Sequence, residues 1–203
     1  MKNLGFVLIL VAFAVGCSKT VPTMESLEQE VWKQLYADYI ENIQKEMPNA
    51  MQGTNFSLGY ILNNDIPGLI INYPGASGGG VVVVFDVLSK QLVTQPFSRN
   101  NIKYIEKEGR IINSDGNMGY YYDKIFEFQN GEFVLIFNGL RIESEFFVSD
   151  NEVAFDEYSR LLMIAEPSVA WDSRYFPIFK NAKSISESYP TEEIVSIIMS
   201  YNE

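Results

Sequence analysis

The chain has 203 residues, 47% hydrophobic and 20% charged, enough apolar mass for the core of one ordinary domain. It contains no histidine and one cysteine, which excludes a Ser-His-Asp triad, a Cys-His pair, His-ligated zinc or haem, and an intrachain disulfide framework. A net charge of −11, from 15 Lys and Arg against 26 Asp and Glu, disfavours nucleic acid or an anionic bilayer surface as partner.

Met1-Lys2-Asn3 supplies one positive charge ahead of an apolar run, Leu4 to Phe13, with the character of a signal-peptide core. Leu4 to Val15 falls short of the roughly 20 residues that a membrane-spanning helix needs. Ala14-Val15-Gly16-Cys17 then places small residues before the single cysteine and resembles the bacterial lipobox, with Ala14 where Leu is usual. These features predict a lipoprotein signal peptide over 1–16, lipid attachment at Cys17, a short polar tether over 17–23 and one domain over 24–203. The domain would sit outside the cytoplasm and reach the membrane through its N-terminal lipid. Ser18 after the cysteine gives no inner-membrane retention signal, so cell surface or outer membrane depends on the envelope type.

Ser26, with Gln29 three residues on, reads as a capping box that opens a helix. Leu27, Val31, Leu35, Tyr39, Ile43 and Met47 recur every four residues, backed by Trp32, Tyr36 and Ile40, while Glu28, Glu30, Lys33, Asp38 and Glu41 fall elsewhere. Pro48 ends the pattern. This predicts a helix laid across a sheet, with Leu35 and Tyr39 buried near its middle.

From Asn55 to Val148 the period becomes two. Phe56, Leu58, Tyr60 and Leu62 alternate, and Gly68 to Tyr73 and Val81 to Leu88 are dense in β-formers. Shorter runs follow at Gln91 to Thr94, Ile102 to Ile105 and Arg110 to Asn113. Asn113-Ser114-Asp115-Gly116-Asn117 reads as a turn. Tyr120–Gln129 and Glu132–Asn138 form a hairpin across Asn130-Gly131, a pair that accepts the positive φ of a type I′ turn, and Leu140, Ile142, Phe146 and Val148 extend the meander. Phe155 to Glu166 predicts a helix stopped by Pro167, and Thr191 caps a last helix with Ile194, Val195 and Ile198 buried. With no crossover helix between strands, the fold class is α+β: a twisted, mainly antiparallel sheet in meander order, an N-terminal helix packed on it, and two C-terminal helices.

Few residues are candidates for chemistry. Gly75-Ala76-Ser77-Gly78-Gly79 matches a nucleophile elbow in letters, but a strand follows it and no histidine exists, so it reads as a glycine hairpin loop. Glu143 and Glu145, two apart in an expected strand, would share one face roughly 7 Å apart. That spacing is open to a carboxylate hydrolase of cell-wall or glycan substrates, although Leu140, Ile142 and Phe146 direct the acids to solvent. Tyr120-Tyr121-Tyr122 and the cluster Trp171, Tyr175, Phe176 and Phe179 are candidates for stacking on sugar rings or peptide aromatics.

Trp32-x-x-x-Tyr36-x-x-Tyr39-Ile40, then Asn63-Asn64-Asp65-Ile66-Pro67-Gly68-Leu69 ahead of a buried strand, resembles a family of uncharacterised bacterial surface lipoproteins. Its members typically carry W-x-x-x-Y and D-x-N-x-D-G-x-P-E-L, and Phe155-Asp156-Glu157-Tyr158 and Thr191-Glu192-Glu193-Ile194 are similar to its later segments. The resemblance implies a lipid-tethered α+β interaction module, and the family has no assigned biochemistry. Its D-x-N-x-D-G run has the form of a calcium loop. Here only Asn63 and Asp65 keep oxygen ligands: Ile61 replaces the first acid, the glycine is missing and Gly68 replaces the glutamate, so a turn fixed by Asn, Asp and Pro67 is the better reading. The whole predicts a non-enzymatic binding module with an unidentified protein or glycan ligand and no cofactor. A carboxylate hydrolase or a purely structural envelope component stands as the alternative.

Overall fold

The four-residue apolar spacing produces helix α1 (Met24–Glu46), which stops just before Pro48. The computed structural model describes residues 24–75, 78–185 and 187–201, with side chains of α1 from Val31 onward. The signal peptide, Cys17 and the tether lie outside the described residues. Ser26 falls inside the helix and does not cap it as expected. The buried face of α1 is Trp32, Tyr36, Ile40 and Ile43; Leu35 and Tyr39 are only partly buried, and Val31 and Met47 are each 43% exposed. Each fourth residue advances about 40° around a 3.6-residue helix. The Val31-to-Met47 series therefore spirals off the sheet at both ends, while steps of four, four and three keep Trp32 to Ile43 in line.

Strands β1 (Asn55–Gly59), β2 (Gly68–Asn72), β3 (Gly80–Asp86) and β4 (Gln91–Phe97) form one antiparallel meander. A second runs through β5 (Ile102–Ile105), β6 (Arg110–Asn117), β7 (Tyr120–Gln129), β8 (Glu132–Ile142), β9 (Glu145–Val148) and β10 (Asn151–Val153). After α2 (Phe155–Ala165), β11 (Val169–Trp171) and β12 (Pro177–Phe179) make a small hairpin. β13 (Ala182–Ser184) then pairs with β5, and β14 (Tyr189–Pro190) pairs with β1 and leads into α3 (Thr191–Ser200). The class is α+β with antiparallel pairing, as expected, but the strands divide between a five-stranded and a seven-stranded sheet instead of one.

Alternation explains the division. Ile70, Val82 and Val84 of the first sheet face Ile102, Tyr104 and Ile111 of the second across one core. Their neighbours Leu69, Ile71, Val83 and Phe85 face α1 and the Ile194 and Ile198 side chains of α3. The first sheet is thus covered on both faces, which is why its central strands read as unbroken apolar runs. Tyr36 ties α1 down by donating its buried hydroxyl to the Pro67 carbonyl at 3.0 Å. The far face of the second sheet carries Ile112, Ile125 and Phe137 beneath Leu162 and Ala165 of α2. Helices, sheet, sheet and helix make four layers.

Three of the five reversals between β5 and β10 bear on the expected turns. Asn130 and Gly131 hold φ of 53° and 86°, the expected type I′ turn. β6 continues through Asn117, so the turn expected at Asn113–Asn117 falls one step later, at Met118-Gly119 with φ of 50° and 83°. The third reversal is at Glu143, φ 53°, between β8 and β9. Glu143 therefore sits in the turn while Glu145 opens β9, so the two do not share a strand, and both are exposed. At α3 the cap position is Pro190; Thr191 is the first helical residue, and its hydroxyl donates to the Met51 carbonyl at 3.4 Å.

Candidate functional site

On the α2-facing side of the second sheet, strand register lines side chains into rows. Ile112, Ile125 and Phe137 form an apolar row, Ser114, Asp123, Gly139 and Val148 the next, and Gly116, Tyr121, Arg141 and Phe146 the third. α2 covers the first two rows and begins at Phe155, beside the third.

The middle row is a closed polar network. Asp123 is 6% exposed; Oδ1 accepts from the Ser114 hydroxyl at 2.5 Å and Oδ2 from the Tyr158 hydroxyl of α2 at 2.6 Å. Gly139 makes this possible, because a Cβ there would sit 2.3 Å from the Tyr158 hydroxyl oxygen. Burial pushes the Asp123 carboxyl above the ordinary carboxylate range, against the opposing pull of Ser114, Tyr158 and the nearby Arg141 charge. Burial, followed by the Asp123 charge, pushes the Tyr158 phenol well above its ordinary value. Both carboxylate oxygens are occupied, so the network pins α2 to the sheet.

The third row opens into a cleft. The Arg141 guanidinium lies 3.9 Å from the Phe176 ring centre and 4.7 Å from that of Tyr121, and its Nη1 donates to the Tyr175 carbonyl at 2.5 Å. Phe176 reaches this position from the loop between β11 and β12. Asp172 folds that loop by accepting from the backbone N–H groups of Arg174 at 2.8 Å and Phe176 at 2.9 Å, which hold its carboxyl below the usual range. Tyr175 takes a left-handed φ of 61°. The cleft, about 350 Å³, is walled by Tyr121, Arg141, Phe146, Phe155, Arg174 and Phe176, with Glu143 and Ser144 on the β8–β9 turn at its edge. A second hollow of about 250 Å³ reaches Arg141, Tyr121 and Phe176 from the side of Ser114 and Asp123.

The two aromatic groups singled out in the sequence meet here through Tyr121, Tyr175 and Phe176. Trp171 packs on Phe155 with ring centres 5.0 Å apart, Phe179 is buried in the core, and neither lines the cleft. Asn63 and Asp65 are exposed on another loop, where Asn64 accepts from the Ile66 N–H at 3.0 Å and Asp65 Oδ1 accepts from Lys107 Nζ at 2.7 Å. The only carboxylate of that loop thus already faces a cation. Among the described residues no cluster of three Asp, Glu or Cys is placed to hold a metal. Gly75 lies in the β2–β3 hairpin connection with φ of 100°, while Ser77 is outside the described residues.

The sequence makes none of Ser114, Asp123, Arg141, Phe155 and Tyr158 a site candidate: Ser114 reads as part of a turn, and Phe155 and Tyr158 stand out only as part of the Phe155-Asp156-Glu157-Tyr158 helix start. One signal was available. Strand alternation places Tyr121 and Asp123 on the same face as the apolar Ile125, so a charge was directed into a buried layer.

No protein-family profile, curated protein or solved structure matches this chain.

Proposed function

We propose that this protein is a lipid-anchored, extracytoplasmic binding module whose ligand docks in the aromatic cleft at Arg141. The observation that carries the reading is the convergence of Tyr121, from a central strand, and Phe176, from a loop more than fifty residues away, on one buried guanidinium at a cavity wall, their rings edge to face with centres 4.8 Å apart. Rigid aromatic walls around a few directed polar groups suit recognition of a glycan or a protein segment. Both Asp123 oxygens are engaged by hydroxyl donors, and Glu143 and Glu145 stand apart at a turn, which supports binding over hydrolysis. A formed cleft supports binding over a purely structural role in the envelope.

The anchor rests on the lipobox-like run ending at Cys17. Among the described residues no helix is long and apolar enough to cross a membrane. Nucleic acid is not a proposed partner of a chain with charge −11.

The test is to probe an array of envelope glycans and peptides with the full-length protein in detergent, alongside Phe176→Ala. Signals lost in the variant are expected. Signals retained in the variant, or cleavage of an arrayed glycan by the wild type, would count against the reading. For the anchor, Cys17→Ser is expected to abolish incorporation of labelled palmitate, and undiminished labelling would refute it.

A further inference from the structure

An arginine removed from water must recover the hydration it has lost, normally from a carboxylate. Arg110 on β6 shows the usual solution. It borders a cavity of about 400 Å³, and its guanidinium lies 3.1 Å from Glu127, 3.4 Å from Glu108 and 3.4 Å from the buried Glu166. Arg141 is only 7% exposed, yet among the described residues no carboxylate lies at ion-pair distance from it. The acid nearest in the register, Asp123, has both oxygens engaged by Ser114 and Tyr158.

A guanidinium offers five N–H donors, and Arg141 uses one on the Tyr175 carbonyl. None of its nitrogens is among the buried polar atoms sealed from solvent without a partner, so its remaining donors keep access to solvent, at a residue that lines both the cleft and the hollow beside Ser114 and Asp123. The adjoining Tyr121 and Phe176 rings, edge to face with each other, contribute cation–π attraction to the guanidinium. Arg174 brings a second positive charge to the same cleft, its side chain 78% exposed and 3.5 Å from Asp172. Glu143, on the turn at the edge, is the opposing acid; it disfavours an anion near itself and leaves the fork of Arg141 as the anion's place.

We infer that the cleft binds a carboxylate borne on a ring-sized body, with Arg141 gripping the carboxylate and Phe146, Phe155 and Tyr121 holding the ring. This deepens the binding-module reading and rests on it. A guanidinium fork matches a carboxylate in two parallel hydrogen bonds, and a cleft of about 350 Å³ has room for one ring and a short acidic arm. Two kinds of molecule share that chemistry: an aromatic acid, such as the carboxyl end of a peptide whose last residue is aromatic, and a sugar acid.

Calorimetric titration of the full-length protein in detergent micelles with phenylacetate, phenylacetamide, glucuronate and glucose separates the outcomes. At least one acid should bind about tenfold more tightly than its neutral counterpart, and Arg141→Lys should remove about that factor for the acid alone, the scale of a hydrogen bond to a charged group. Preference for phenylacetate identifies an aromatic acid, and preference for glucuronate a sugar acid. Equal binding of acid and neutral analogue overturns the carboxylate inference while leaving a binding cleft. Binding of neither acid overturns the inference as well, and the array experiment then decides the binding reading separately. The acid-against-neutral comparison uses wild-type protein and stands even if the Arg141 variant fails to fold.

Discussion

Tyr158→Phe removes one oxygen from the buried network and very little volume, so it isolates the hydrogen bond to Asp123. The lost contact is a 2.6 Å bond to a carboxylate only 6% exposed, whose other oxygen is held by Ser114. A hydrogen bond to a charged group contributes about 1.5–3 kcal/mol and a neutral one about 1 kcal/mol. Where Asp123 is ionised, the loss should be about 2 kcal/mol, or roughly 4–8 °C in Tm for a domain of this size. The deficit should also depend on pH. The folded state holds the Asp123 proton to higher pH than the unfolded chain, so this group's contribution to stability is greatest in acid. That contribution falls as pH rises from the ordinary carboxylate value through the folded one. Without the Tyr158 donor the ionised form is less well stabilised, and the fall extends further. The deficit of Tyr158→Phe should therefore be about 1 kcal/mol in acid and grow as rising pH ionises Asp123, and in an Asp123→Asn background it should stay near 1 kcal/mol at every pH. Urea unfolding of the four proteins between pH 3 and 8 measures this. A pH-independent deficit, undiminished by Asp123→Asn, would refute a charged Asp123–Tyr158 bond.

Gly139→Ala should cost about 3 kcal/mol in the same assay, because the new Cβ would meet the Tyr158 hydroxyl at 2.3 Å and Phe137 Cε1 at 2.5 Å in a packed layer; a neutral effect would mean that Tyr158 does not enter over Gly139. Ile40→Ala, at a fully buried position under α1, should cost about 2–5 kcal/mol, with Leu35→Ala costing less than half as much and the exposed Glu41→Ala only tenths. A larger loss from Leu35 than from Ile40 would show that α1 is rotated on the sheet.

Much of the layering is written locally. The α1 spacing, the alternation in β1 and β7, the unbroken apolar runs of β2 and β3, and Asn130-Gly131 each specify an element through nearby residues. The split into two sheets is not legible in this way, because it depends on which faces of Ile70 and Val82 meet Tyr104 and Ile111 across the core. Turn placement was legible only where the residues demanded positive φ. Met118 and Glu143 adopt it without a sequence signal, so β6 was read too short, Ser114 was assigned to a turn, and Glu143 was assigned to a strand. The cleft was half legible. Tyr121, Tyr175 and Phe176 stood out as aromatic clusters, whereas Arg141 lies between Leu140 and Ile142 in an unremarkable strand and gains its meaning only from the loop folded over it by Asp172.

The central claim, that Arg141 and its aromatic walls form a ligand site, is tested most directly by determining the structure of the protein with phenylacetate and with glucuronate. The account predicts an acid in the cleft, its carboxylate about 2.7–2.9 Å from free guanidinium nitrogens of Arg141 and its ring against Phe146 and Phe155. Acids found only outside the cleft, or Arg141 turned onto Asp123 with the cleft empty, would contradict it.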